Sequence, residues 1–451
     1  MAFASVGTRG STSTKTAGQT LAMSPSANIP ADALVVCSWT WDGGLSGGEV
    51  YDPMNERWAC HDSAGNIWHS IYAGTENFTH QAAGMFISRV RNGLTTSDTV
   101  TIHCQITNRT CKAMALHEYS MAADKVWAVT DQLLGAAVIT ADPTPLTVGS
   151  LVSQEYLLLY VLGLRGPNTD TVTWDSDYSQ TSVGTSGGAD TSNGQLHYGH
   201  RIATLTTDTV NVDTNPDRSY SEGLVAVCEC TPAAAFPVFP IIDDFNRANE
   251  NPLDGGIWVP SGCIPTANFT GRVVSNQAGS GGSWLLESFP DCRTEVYATF
   301  PTFGSLGAGL LLNGLGCGNL STRGGYEMAW LPFPQGKQTD YDRIEMGKAG
   351  FVAGFTGSER YLIGWVDATN GHKMGIQRDS HNHTLHYWID EGGGWEEIGA
   401  VQYMAPIEDV NPIGQLGYEI FDSTTRMDDF GGGYKCFGFV PQYYRHTCGT
   451  S

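Results

Sequence analysis

Apolar positions in this chain recur every second residue in short runs, and each run ends at a cluster of Gly, Pro, Asn, Asp or Ser. That alternation puts the apolar side chains on one face of an extended strand. Asp98 to Gln105 alternates so that Val100, Ile102 and Cys104 face one way and Thr99, Thr101 and His103 the other. Ala33 to Thr40 (ALVVCSWT) is a short apolar, β-branched run of the buried-strand type. Lys112 to Tyr119, Leu157 to Leu162, Gly199 to Leu205 and Gly223 to Cys230 continue the series. DSAGN (Asp62 to Asn66), between RWACH and IWHSIY, reads as a hairpin turn because Gly and Asn accept positive φ at little cost. Only Asp124 to Leu134 hints at a helix.

The second half repeats this grammar without repeating the sequence. Strands are predicted at Arg272 to Val274, Ser283 to Leu286, Arg293 to Phe300, Ala308 to Leu312, Tyr326 to Leu331, Arg343 to Met346, Tyr361 to Asp367, His372 to Arg378, Thr384 to Asp390 and Gly414 to Ile420. Short strands at even spacing with almost no helical period indicate an all-β sandwich or jelly roll. No internal repeat of fixed period occurs, which argues against a propeller or solenoid.

Composition sharpens this picture. The length of 451 residues suggests two domains, and Gly (55) with Pro (20) interrupts the chain too often for long helices. Three prolines in the twelve residues TPAAAFPVFPII (Thr231 to Ile242) mark the seam. The expected organisation is a β-sandwich over residues 1–231, a Pro-rich linker over 232–242, and a jelly roll over 243–451. Acidic residues number 46 against 24 basic, a net charge of −22, which repels phosphate backbones and anionic lipid and excludes a nucleic-acid partner. No apolar run has the length of a membrane span, and Met1 to Met23 lacks a signal-peptide apolar core, so no membrane insertion is expected. The eleven cysteines are many for a reducing cytosol, yet an odd number cannot all pair internally. Cys104 and Cys111 flank the turn-like ITNRT and form the best disulfide candidate, with buried thiols as the alternative. Cys228 and Cys230 point to one face and cannot easily bond each other.

The stretches IIDDFNRAN (Ile241 to Asn249), LDGGIW (Leu253 to Trp258) and RMDDFGGG (Arg426 to Gly433) resemble the opening and closing strands of concanavalin A-like, laminin-G-like jelly rolls of bacteriophage virion and secreted bacterial proteins. The first half, with Ser11 to Met23, Ala31 to Val36, Asp62 to Trp68 and Thr144 to Leu151, resembles a β-sandwich module frequent in phage structural proteins. These resemblances imply a virion component of tail or head, assembled in the host cytoplasm. Its implied partners are other virion proteins, further copies of itself and a host-surface glycan. No cofactor is required, but jelly rolls of this class often hold calcium near the terminal strands, which would draw on Asp243, Asp244, Asp428 and Asp429 as hard oxygen donors.

Candidate chemistry is sparse. The β-glucanases that share the jelly roll carry Glu-x-Asp-x-x-Glu, whereas this chain has Asp340-Tyr-Asp342-Arg-Ile-Glu345, with a shorter first acid and an alternation that turns Glu345 away from Asp340 unless a bulge intervenes. Catalysis is therefore not expected. Glycan binding fits better, since sugars stack on aromatic rings while polar neighbours orient the hydroxyls. In Thr384 to Asp390, Leu385, Tyr387 and Ile389 share one face and His386, Trp388 and Asp390 the other. With the first face inside, Trp388 stands exposed beside His386, and Trp330, Trp365 or Trp395 can join it; the alternative is that these rings fill a core. His381, His383 and His386 near Asp379 also suggest a metal, but they read as hairpin-tip residues with no fourth ligand placed. Five Asn-x-Ser/Thr sequons (Asn77, Asn108, Asn268, Asn319, Asn382) arise readily by chance in so Thr- and Ser-rich a chain.

Overall fold

The computed structural model describes residues 3–42, 58–75, 81–104, 111–149, 151–167, 169–174, 177–185, 193–230, 236–249, 253, 256–258, 272–275, 277–279, 281–289, 293–304, 308–314, 325–331, 342–349, 360–366, 370–379, 384–402, 414–420 and 423–435. The fold is all-β, and no helix occurs among the described residues. Each strand expected from alternation is present, usually a few residues longer; Leu157 to Leu162, for example, lies within Gln154–Leu164. The segment with a helical hint is instead the strand Val126–Ala141. Pairing on both edges, with Arg218–Cys230 and Glu396–Gln402, overrides its local propensity.

The first half is a stack of layers. A five-stranded sheet runs in the order Ala4–Thr14, Lys112–Ser120, Leu34–Asp42, Gln81–Arg89, His69–Thr75. One face meets a three-stranded sheet (Thr20–Met23, Val100–Cys104, Trp58–Asp62) over a core containing Cys37, Trp39, Trp41, Cys60, Trp68 and Ile102. The other face meets a larger sheet through Val36, Met85 and Tyr119 against Leu157, Leu159, Tyr198 and Val227. The far side of that larger sheet is covered in turn by two short pairs, Leu146–Val148 with Asp208–Val210 and Thr171–Trp174 with Val212–Asn215. This explains why Gln154–Leu164 is apolar almost throughout: from Tyr156 onward every residue is buried, because both faces of the strand are inside.

DSAGN does not close a hairpin. Trp58–Asp62 pairs with Val100–Cys104 in one sheet and His69–Thr75 with Gln81–Arg89 in the other, so the turn carries the chain between layers. Asp62 holds it, accepting hydrogen bonds from the Ala64 and Asn66 amides (both 3.0 Å), from Asn66 Nδ2 (3.0 Å) and from Trp68 Nε1 (2.8 Å). The Trp68 bond draws the chain into the core and away from a two-strand turn.

The larger sheet has thirteen strands and continues into the second half. Its crossing point is the parallel pairing of Ala128 and Val129 with Ala400 and Val401. Beyond it come Thr384–Asp390, Lys373–Asp379, Arg293–Thr302 and Arg426–Lys435. This part faces a six-stranded sheet (Gly281–Phe289, Gly414–Ile420, Ala308–Gly314, Gly325–Leu331, Asp342–Ala349, Arg360–Val366) across a core of Val296, Phe300, Leu310, Ile376, Tyr387 and Tyr418. The result is a two-sheet sandwich.

Candidate functional site

The strand Thr384–Asp390 carried the main glycan expectation. Leu385, Tyr387 and Ile389 do line the core, but the opposite face is covered as well: Trp388 is only 9% exposed and His386 1%. Phe236, from the Pro-rich segment, stacks on Trp388 with ring centroids 5.1 Å apart and planes 8° apart. His386 Nδ1–H donates to Glu397 at 2.6 Å. The exposed platform is thus corrected to a covered one, because chain distant in sequence lies across the face. Trp330 and Trp365 belong to strands of the other sheet, Gly325–Leu331 and Arg360–Val366, and their side chains lie outside the described residues.

The four aspartates named as oxygen donors do gather. Burial raises the Asp428 carboxyl, and the charges of Asp429, Asp244 and Asp243 raise it further. Asp243, however, already accepts from the Phe245 amide (2.8 Å), Arg247 Nη1 (2.6 Å), Arg247 Nη2 (3.0 Å) and Trp258 Nε1 (2.6 Å), so both its oxygens are occupied by donors. Asp244 accepts from the Asn246 amide and Asp429 from Thr299 Oγ1. No group of three or more His, Cys, Asp or Glu among the described residues is arranged to hold a metal ion.

Several other expectations fall on residues outside those described: Asp340, His381, His383, all five sequons, and the side chains of Asp342, Glu345 and Cys104. Cys111 is buried, immediately before the strand Lys112–Ser120. The backbone at Glu345 pairs in unbroken register with Gly325–Leu331, and the irregularity between Ile344 and Glu345 falls on the side of Arg360–Val366, where Ile363 is the unpaired residue. Cys228 and Cys230 share one core, as alternation requires.

A cleft that no single stretch announces lies where the two halves meet. Its volume is about 170 Å³, and its walls are Asp32, Ile67, His69, Arg89, Arg91, Val126, Trp127, Glu396, Glu397 and Ile398. Three strand ends converge on it. His69 begins His69–Thr75, Arg89 ends Gln81–Arg89, and Glu396 begins Glu396–Gln402. Trp127 comes from Val126–Ala141, next to the parallel junction. Its ring meets His69 edge to face at 5.0 Å.

The charges across the cleft are paired. Arg91 Nε bonds Glu396. Arg89 donates to the carbonyls of Lys125 (2.8 Å) and Ala123 (3.2 Å) and lies 3.4 Å from Asp32. Burial, with Arg91 adding to it, brings the His69 imidazole down to about 3, so it is neutral at physiological pH. Burial raises Glu396, while Arg91 opposes that shift. Three buried polar atoms in these walls, His69 Nδ1, Arg89 Nε and Arg91 Nη2, have no hydrogen-bond partner among the described residues. A buried polar atom left unpaired costs roughly 1–3 kcal/mol, so three of them in the walls of one cleft call for an explanation. Among the described residues the lining has no hydroxyl or thiol nucleophile, and Glu396 and Glu397 are held by Arg91 and His386.

Alternation could not find this site, since its residues come from five segments. The signals were short: the Arg-Val-Arg of residues 89–91, which buries Val90 in the core and leaves both arginines to line the cleft, and Trp395-Glu-Glu at a strand start.

No protein-family profile matches the chain, and no curated protein matches it. Among solved structures, the chain is similar to a legume lectin-like domain from Entamoeba histolytica, at 14% identity and a TM-score of 0.29, covering 37% of this chain and 87% of that one. It is also similar to a carbohydrate binding module from Bacillus subtilis, at 14% identity and a TM-score of 0.23, covering 35% of this chain and 85% of that one.

Proposed function

We propose that this chain is a non-catalytic glycan-binding protein whose site is the cleft between its two halves. The observation that carries the reading is the trio of unpaired buried polar atoms in the cleft walls, on His69, Arg89 and Arg91. Sugar hydroxyls both donate and accept, so they can satisfy two guanidinium donors and a neutral imidazole nitrogen together. Charge narrows the ligand class. Arg89 and Arg91 face Asp32, Glu396 and Glu397, two positive groups against three negative, which favours a neutral saccharide over a phosphate or sulfate. Size narrows it further: about 170 Å³ is below the roughly 300–1,000 Å³ of drug-sized pockets and suits one terminal sugar residue.

A glycan array followed by calorimetry tests this. Saturable binding of a neutral saccharide without hydrolysis is expected, weakened at least tenfold in Arg91→Ala and in Arg89→Ala. Unchanged binding in both variants, or turnover of the bound glycan, would refute it. Display on a bacteriophage virion is the finer reading, supported by the resemblance of residues 5–232 and 241–433 to virion modules. On that reading many copies on one particle multiply a weak single-site affinity. Purified particles carrying the chain at stoichiometric copy number are the expected finding, and its presence only as free protein would overturn it.

A further inference from the structure

A second site is built on the outer face of the second sandwich, on residues separate from the cleft. Tyr297, Trp388 and Trp395 form an aromatic floor and wall, and Phe236 sits among them: stacked on Trp388, edge to face on Trp395 at 4.9 Å, and edge to face on Tyr297 at 6.0 Å. The place for that ring is made by Gly375, where an added Cβ would collide with Phe236 Cζ. Three residues on, Phe239 lies over Gly433, where a Cβ would come within 2.7 Å of its ring. The main chain of the segment is held too. Glu295 Oε1 accepts from the Val238 amide (2.7 Å) and the Phe239 amide (2.9 Å), and Tyr297 Oη donates to the Phe239 carbonyl (2.8 Å). Gln377 Nε2 steadies the other Glu295 oxygen at 2.8 Å, with both residues fully buried.

An ordinary outward sheet face would be polar and wet. This one carries three large rings, a buried carboxylate aimed at main-chain amides, and glycines at the two places where Phe rings rest. That is how grooves recognise peptides, with backbone bonds giving affinity and ring pockets giving specificity. The resident segment also fits incompletely: Trp388 Nε1 is buried and has no hydrogen-bond partner. A ligand carbonyl placed there would gain a bond that the chain's own segment does not make.

We propose that this face is a docking groove for Phe-Pro-x-Phe-Pro peptides of a partner protein, held closed in this conformation by the chain's own residues Phe236–Pro240. The segment is a tethered competitor, present at an effective concentration on the order of millimolar. A partner must therefore present the same two rings and engage the free indole N–H to displace it.

The test uses the full chain and a synthetic peptide with the sequence of residues 232–242. In Phe236→Ala, whose groove has lost its ring, the peptide should produce a saturable change in tryptophan fluorescence at least tenfold tighter than in the wild type. The same peptide with Ala in place of its first Phe should give none, and neither should the wild-type peptide added to Phe236→Ala/Trp388→Ala. A folded Phe236→Ala chain with no saturable response, or equal responses in variant and wild type, would overturn the proposal. Should Phe236→Ala fail to fold, hydrogen exchange on the wild type decides. Millimolar peptide should speed exchange of the Val238 and Phe239 amides as they leave Glu295, and unchanged rates would refute displacement.

Discussion

Glu222 lies within the strand Arg218–Cys230 and is 1% exposed, facing the outer core of the first half. Tyr160, on the neighbouring strand, donates its hydroxyl to Glu222 Oε2 at 2.5 Å. Burial raises the carboxyl from an ordinary 4.5 to about 7, with the bonds from Tyr160 and the Thr144 backbone pulling the other way. Between those two values the folded chain holds a proton that the unfolded chain has lost, so stability falls as pH rises through this window. The contribution is complete below pH 4.5 and gone above about 7. At 1.36 kcal/mol per pKa unit, the shift corresponds to about 3 kcal/mol. Glu222→Gln keeps the shape and an acceptor for Tyr160 but cannot ionise. The two chains should be of similar stability near pH 4.5, and the variant should lead by about 3 kcal/mol at pH 8, measured by urea unfolding followed by tryptophan fluorescence. The comparison must be a difference between chains, because His69, His117 and His197, lowered to about 3, 3 and 4 by burial, create an opposite slope as pH falls below 6.5. Both chains share those histidines, so their effect cancels. A difference that stays constant from pH 4 to 8 would show that Glu222 is not held protonated by its surroundings.

The same histidines predict the acid limb. His117 is stacked on Tyr198 at 3.8 Å and is neutral when folded, so replacing it by Gln should flatten the loss of stability between pH 6.5 and 3, read as a smaller drop in Tm. Gly163→Ala should cost about 1–3 kcal/mol by overpacking, because its Cβ would collide with Thr40 Oγ1 and lie 3.0 Å from Ala83 Cβ, where two sheets meet; urea midpoints check this. Asp62→Ala should cost on the order of 3 kcal/mol, since it leaves Trp68 Nε1 and the turn amides unpaired within the fold, and calorimetry would show it.

Much of this protein was legible as local pattern. The alternation in Asp98 to Gln105 foretold that Val100 and Ile102 are core residues, and the apolar run in Ala33 to Thr40 foretold a buried strand. Both are properties of a strand's own two-residue period, which no distant contact has to supply. The wrong readings were those whose outcome depended on what lies opposite. DSAGN has the residues of a tight turn, but Asp62 spends its carboxylate on Trp68 and sends the chain to another sheet. Trp388 sits on the face predicted for it, yet Phe236, 152 positions earlier, covers that face.

The sequence by itself determined the strands, their inward faces and the all-β class, because side-chain alternation and turn residues act over a few bonds. Only the tertiary structure decided which sheets stack, that one sheet crosses from the first half into the second at Ala128 and Ala400, and that His69, Arg89, Arg91, Trp127 and Glu396 meet in one cleft. Those outcomes depend on non-local burial and hydrogen bonding between segments hundreds of residues apart, which leave no period in the chain.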